Sequence, residues 1–564
     1  MTTPAPLAGA GRVAGAAALI AVLTVVSRLV GFGRTAVFTW VVQDSDLGGM
    51  YVIANFVPNI IFEIVAGGAL ASLVVPLLAA PVAAGDRRAV AATTGALLTW
   101  TVTLLVPLAV LLAVLAAPAV TLISEGRSDA ELAAGARMLR VFAPQLPLYG
   151  IGIVLTGVLQ AHRRFAWPVI APLLSSLTVI VVYVAFGQVA GRGASVAATG
   201  AGAELILSAG TTLGVVVLSL SLLVPLRRLR LRLRLRPGYA FPADARARVG
   251  GLAAAGAVTV TAQQLALVVL LNRVSGGPTG SPQVFTLAQT FYLLPWAVLA
   301  VPLATAAYPT LAAAAAGGDE REYQRTLSST LRGVLLASFL GAAVLVGAAV
   351  PIGRFFPLDS AATAAAVAGF APGLIGYGLF AVLSRALYAR GATRSATVAI
   401  TAGWLAVALA TVPLAGLLPV ADRVLAVALA NSVGMVLLGA LLLTAVFRSA
   451  GRPAVAGAAR AALAGLLAGV LAAAAGAVLA CLLDDAAGGT PTTGAALLQG
   501  MLSGVLVGVV FLAVVWLVDR RDVRPLLAGV RRRLRRRGAD AGRTGERHQG
   551  IPPERDDGKE TVAR

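Results

Sequence analysis

Two arginines, Arg28 and Arg34, stand in the stretch TVVSRLVGFGRTAVF (24–38), inside a long apolar run, with Gly31 and Gly33 between them. A guanidinium group pairs bidentately with phosphate or carboxylate oxygens. At membrane depth such a charge is costly and faces a water-filled cavity or a partner. Six residues apart, the two side chains point about 120° away from each other on a straight helix. The two glycines are therefore expected to act as a hinge, bending or unwinding the helix so that both arginines reach one anionic cargo. Glu63 is also mid-span, with Asn59 one turn before it. It reads as a partner for Arg28, as a proton carrier, or as both. Gln263, Gln264 and Gln289 read either as hydrogen-bonders to sugar or peptide or as helix–helix contacts. Glu204 reads as interfacial and Asn431 as a helix–helix hydrogen bonder.

Around these residues the sequence leaves little room for covalent chemistry. It has 564 residues, 58% hydrophobic and 12% charged, a membrane-protein composition. Lys559 is the single lysine, so no Walker A loop with its phosphate-binding lysine is present. One cysteine, Cys481, and two histidines, His162 and His548, leave no disulfide, no Cys- or His-based metal site and no Ser-His-Asp triad. No catalytic group, cofactor or metal is expected. The net charge of +21 lies in short loops and points to membrane orientation rather than nucleic acid. The N-terminal run lacks a small-residue cleavage site and reads as a retained helix.

Spanning helices need about 20 mostly apolar residues. About fourteen segments qualify by that rule: 14–41, 48–80, 89–118, 133–161, 166–188, 198–226, 248–272, 284–315, 327–352, 361–389, 395–418, 423–447, 455–483 and 494–518. Alternate loops carry GDRR (85–88), AHRRF (161–165), RRLRLRLRLRP (227–237), GDEREYQR (318–325), ARGATR (389–394) and FRSAGRP (447–453). The opposite loops carry QDSD (43–46), SEGRSDAE (124–131), FPLDS (356–360) and LLDDAAGG (482–489). Arginine marks the cytoplasmic side, so both termini are expected in the cytoplasm of a multi-pass plasma-membrane protein.

The chain also repeats itself. YGIGIVLTGVLQA from Tyr149 aligns without gaps with YGLFAVLSRALYA from Tyr377, and VPLLAA (75–80) with YPTLAA (308–313). Both matches fall at nearly one offset, so the first six spans are expected to be duplicated in the next six. Six being even, the copies share one orientation, related by an axis along the membrane normal. The expected fold is an all-α polytopic membrane protein with two six-helix lobes in parallel pseudo-twofold repeat plus two C-terminal helices. Its parts are an N-lobe at 1–226, a cytoplasmic basic linker at 227–247, a C-lobe at 248–447, a C-terminal helix pair within 455–518, and a disordered basic tail at 519–564.

SRLVGFGR (27–34), FVPNIIFEIVAGGALASLVVPLL (56–78), the segment 141–180 beginning VFAPQLPLYG, YLLPWAVLAVPLATAAYPTL (292–311) and LYARGATRSATVAI (387–400) together resemble the MurJ/MviN lipid II flippases, in the form found in actinobacteria. The resemblance implies a multidrug/oligosaccharidyl-lipid/polysaccharide exporter fold around a cationic cavity. It implies outward flipping of undecaprenyl-diphosphate-linked disaccharide-pentapeptide by alternating access, with the last two helices forming a groove for the polyprenyl tail. It further implies membrane lipids and cell-wall synthesis or division proteins as partners. Where well-studied members carry further cavity arginines, this chain has Phe62 and Thr290. The substrate-binding set is accordingly Arg28, Arg34, Asn59, Glu63, Gln263 and Gln289, with Gly31 and Gly33 as the hinge. The rivals are a flippase of another polyprenyl-linked glycan, a drug exporter of the same superfold, and a non-transporting scaffold. Cationic-drug exporters need acidic cavities, and a scaffold needs no charge at membrane depth.

Overall fold

In the computed structural model, residues 8–64, 71–227, 229, 243–486 and 492–518 are described, and among them every regular element is helical. The first half comprises α1 (Ala8–Val42), α2 (Asp46–Phe62), α3 (Ala71–Ala83), α4 (Arg87–Val114), α5 (Ala116–Ile123), α6 (Asp129–Phe142), α7 (Gln145–Ala161), α8 (Trp167–Ala190), α9 (Ala201–Ser221) and α10 (Leu223–Arg227). The second half repeats the order: α11 (Ala243–Ser275), α12 (Ser281–Pro295), α13 (Val301–Gly317), α14 (Glu320–Gly347), α15 (Ala349–Phe355), α16 (Ser360–Phe370), α17 (Gly373–Ala389), α18 (Thr393–Leu417) and α19 (Arg423–Ala450). Two long helices follow, α20 (Ala458–Ala486) and α21 (Thr493–Val518). The expected basic linker lies largely outside the described residues, and the tail 519–564 lies wholly outside them.

The duplication is visible in breaks as well as lengths. The chain breaks near Leu115, between α4 and α5, and again near Ala348, between α14 and α15. It turns at Pro144, before α7, and at Pro372, before α17. Gly85 and Gly318 take positive φ values of 69° and 70°, a region open to glycine at little cost. Each is followed by an aspartate, Asp86 or Asp319, whose carboxylate accepts backbone N–H bonds at the start of the next helix, the usual N-cap device. The shared YG pair also has a packing reason. A Cβ on Gly150 would run into Thr101 and Leu105, and one on Gly378 into Ser338 and Val334. Helices in lipid gain contact by letting small residues bring backbones close, and here the same pair of helices in each half uses the same glycine.

Twelve described helices are long and apolar enough to cross a membrane, thirteen when the bent pair α16–α17, at 41°, is taken as one span. The fourteenth expected segment, 48–80, is divided between the 17-residue α2 and the 13-residue α3, and residues 65–70 between them lie outside the described residues. The C-terminal pair docks on the second half: α20 and α21 pack on α14, and α21 on α15. An ion pair joins Arg354, at the end of α15, to Asp484 of α20, and Gln499 of α21 donates to the same carboxylate at 3.1 Å.

Candidate functional site

Two cavities lie between the halves. The larger, about 590 Å³, is lined by Thr24, Ser27, Arg28, Gly31, Arg34 and Thr35 of α1, by Pro168, Pro172, Ser175 and Ser176 of α8, and by Thr290 and Leu293 of α12, among others. Both arginines are exposed to it. Neither takes part in any of the ion pairs found among the described residues, and no carboxylate lines this space. Two guanidinium groups among hydroxyls, with no anion beside them, make a site for an anionic group.

The helix carrying them is not bent in the expected way. α1 runs unbroken from Ala8 to Val42 through both glycines. The arginines share one cavity because that cavity is broad enough to border much of the helix circumference. A Cβ on either Gly31 or Gly33 would meet nothing within 4 Å, so packing in this state does not require glycine at these places.

The smaller cavity, about 290 Å³, holds the other four expected residues: Asn59, Glu63, Gln263 and Gln289. Gln264, Tyr292, Tyr377, Trp404 and Asn431 complete its polar and aromatic wall. Leu293 borders both cavities, and consecutive residues of α12 serve them separately, Gln289 the smaller and Thr290 the larger. At 100° per residue, neighbouring helix positions face different spaces. Glu63 therefore does not pair with Arg28; the two border different cavities. Where the resemblance leads one to expect further arginines, Phe62 stacks against Tyr149, with ring centroids 4.6 Å apart. Thr290 returns its hydroxyl to the Thr286 carbonyl at 2.8 Å.

Other readings change with the fold. Glu204, in the first turn of α9, is buried and accepts two hydrogen bonds from Arg137 of α6, at 2.7 and 3.1 Å. Asn431 lines the smaller cavity and meets Tyr292 there in a side-chain hydrogen bond. A hydroxyl cluster, Tyr51 with Tyr183 and Thr211 at 2.8 Å each, ties α2, α8 and α9 together. Its members are scattered polar residues in apolar runs, so no local pattern marks it. Among the described residues there is no group of three or more His, Cys, Asp or Glu suited to a metal.

Hydrogen bonds between the two halves fall on one face only among the described residues, the face of the acidic loops. Gln283 of α12 donates to the carbonyls of Gln43 and Ser45, at 3.2 and 2.7 Å. Arg273 of α11 pairs with Glu125 at 3.1 Å. Ser275 receives the Glu125 N–H and donates to Ile123, and Asn272 donates to Leu122. Asp44 approaches Gly280 so closely that a Cβ there would collide with its carboxylate. In this seam burial, and then the negative charge of Asp359, push the Asp44 carboxyl up to about 6. The seam ties the two halves together on the acidic-loop face.

Comparison with known proteins agrees with this arrangement. The family model described as "Lipid II flippase MurJ" matches residues 44–488. A curated relative, the lipid II flippase MurJ of Burkholderia cenocepacia, is 25% identical over 379 residues, covering 65% of this chain and 71% of its own. A solved lipid II flippase MurJ in an inward closed conformation shares the fold, with a TM-score of 0.67 at 20% identity over 88% of this chain and 98% of that one. An inward-facing multidrug-resistance MATE transporter of the MOP superfamily aligns with a TM-score of 0.59 at 13% identity, over 81% of this chain and 98% of the other. By a family match that runs from the acidic seam loop through the cavity helices and into the C-terminal pair, the chain belongs to the MurJ family.

Proposed function

We propose that this chain flips lipid II, the undecaprenyl-diphosphate-linked peptidoglycan precursor, from the inner to the outer leaflet by alternating access. It is a transporter and not an enzyme on this reading. The observation that carries it is the pair Arg28 and Arg34, without a carboxylate partner, in a cavity between the two halves. A diphosphate crossing the bilayer needs its charge compensated along the route. Two preplaced guanidinium groups do this without bond chemistry, and they bind weakly enough to release. The family described as lipid II flippases supplies the identity of the cargo. Asn59, Glu63, Gln263 and Gln289 serve the sugar–peptide end, in the adjoining cavity. Gly31 and Gly33 serve as the hinge. Glycine weakens a helix interior, and packing here does not call for it, so conformational freedom is the property that remains.

The arginine-rich loops support an orientation with both termini in the cytoplasm, the acidic seam outward and the cavities serving the inner leaflet. The segments 1–226 and 248–447 then rock as two lobes about the site, and 455–518 forms the polyprenyl-tail groove beside the second. A MATE-like drug exporter fits the fold but not the unpaired cavity arginines.

Depleting the protein in its host and extracting the lipids tests the cargo: lipid II should accumulate on the inner leaflet. Accumulation of a different polyprenyl-linked glycan, with lipid II unchanged, rejects the reading. Orientation is checked by replacing Cys481 with serine and placing a cysteine at 237–245. A membrane-impermeant maleimide should leave it unlabelled in intact cells and label it after permeabilisation; labelling of intact cells reverses the topology.

A further inference from the structure

The smaller cavity has a chemistry unlike that of the larger one. It contains no arginine or lysine, and its one charged lining residue is Glu63. Glu63 is exposed and has no ion-pair partner among the described residues. The Tyr292 hydroxyl and the Asn431 side chain, each on a residue 4% exposed, lie against each other in the wall as a side-chain hydrogen bond, so the charged group left open to the cavity is the Glu63 carboxylate. A carboxylate lining one space with the rings of Tyr377 and Trp404, and with no cation in that lining, is suited to a cation, through charge-assisted hydrogen bonding and attraction to aromatic faces.

We propose that this cavity is a subsite for a primary ammonium group on the peptide end of the cargo, with Glu63 as the carboxylate that selects it. The inference rests on the lipid II reading above. A cell-wall peptide that is later cross-linked through an amide bond must carry a free amine as its nucleophile. An alkyl amine of that kind is protonated at neutral pH. The cargo is then bipolar: an anionic diphosphate held at Arg28 and Arg34, and a cationic peptide end held at Glu63. The two cavities share Leu293, which suits one molecule occupying both. The amides of Gln263, Gln289 and Asn431, in the same lining, take the neutral amide and hydroxyl groups around the amine.

The test uses the full-length protein in lipid nanodiscs and three probes. They are lipid II with its free side-chain amine, the same lipid with that amine acetylated, and undecaprenyl diphosphate without glycan or peptide. Binding is measured by displacement of a fluorescent lipid II analogue. The protein as it stands should prefer the free amine over the acetylated form by about tenfold, as expected for one charge-assisted hydrogen bond. In Glu63→Gln this ratio should fall toward one. Asn431→Leu should weaken both glycopeptide lipids and leave their ratio unchanged. Equal binding of free and acetylated lipids to the unaltered protein overturns the proposal, as does a preference that survives Glu63→Gln. If Glu63→Gln does not fold, the comparison on the unaltered protein decides alone. Failure of undecaprenyl diphosphate and of both lipids to bind at all rejects the parent reading instead.

Discussion

Arg28→Ala should abolish lipid II export in a strain that depends on this chain, while the protein is inserted at normal abundance. Arg28 is exposed to the cavity and takes part in no ion pair found among the described residues. Substitutions away from packed features usually shift stability by no more than about 0.5 kcal/mol. Its loss should therefore act on cargo. A hydrogen bond to a charged group contributes about 1.5–3 kcal/mol, so one lost guanidinium–phosphate contact should lower cargo affinity roughly 10- to 150-fold. Arg28→Lys should retain part of the activity, because it keeps the charge but not the bidentate fork. Arg34→Ala should have a similar sign. Replacing Gly31 and Gly33 together with alanine should leave abundance intact and slow export, by stiffening α1. Growth and outer-leaflet lipid II, measured in complemented cells, read all of these. Full export by Arg28→Ala at normal abundance means that the arginine does not hold the cargo.

The seam on the acidic-loop face should open more readily at neutral pH than at pH 5. Asp44 lies between α1 and α2, outside the spans, and its carboxyl is raised to about 6 by burial and then by Asp359. The sign follows from linkage. A raised carboxyl holds its proton more tightly in the closed seam than in an opened, hydrated one, where its ordinary value is 3.8. Closure is therefore favoured increasingly as pH falls from above 6 toward 3.8. Above about 6 Asp44 is ionised in the closed seam, where the negative charge of Asp359 repels it. The Arg273–Glu125 pair also holds this seam. Asp44→Asn should remove the dependence and keep the seam closed, whereas Arg273→Ala should open it at both pH values. Spin labels at Ala130 and Ala421, both exposed on this face, give the distance across the seam. A distance distribution that does not change between pH 5 and pH 7.5 in the unaltered protein removes Asp44 from gating.

The duplicated architecture was legible in the sequence because its signals are local. Apolar length sets spans, arginine marks loops, and the Gly85–Asp86 and Gly318–Asp319 turns use the same glycine and cap chemistry in both halves. The YG pairs were legible as a repeated motif, and their packing cause is found in α4 and α14. That these polar residues line cavities was also foreshadowed, because a charge or amide at membrane depth is conspicuous. Grouping was another matter. Arg28 and Glu63 appear as natural partners along the chain, yet they border separate cavities. Glu204 reads as interfacial along the chain, and its partner Arg137, 67 positions away, is apparent only in the fold. Asn431 and Tyr292 became site residues only once α12 and α19 met. Periodicity and composition report which way a side chain points from its own helix. Which cavity it reaches depends on how two halves, joined by one linker, come together, and that is decided by contacts far apart in sequence.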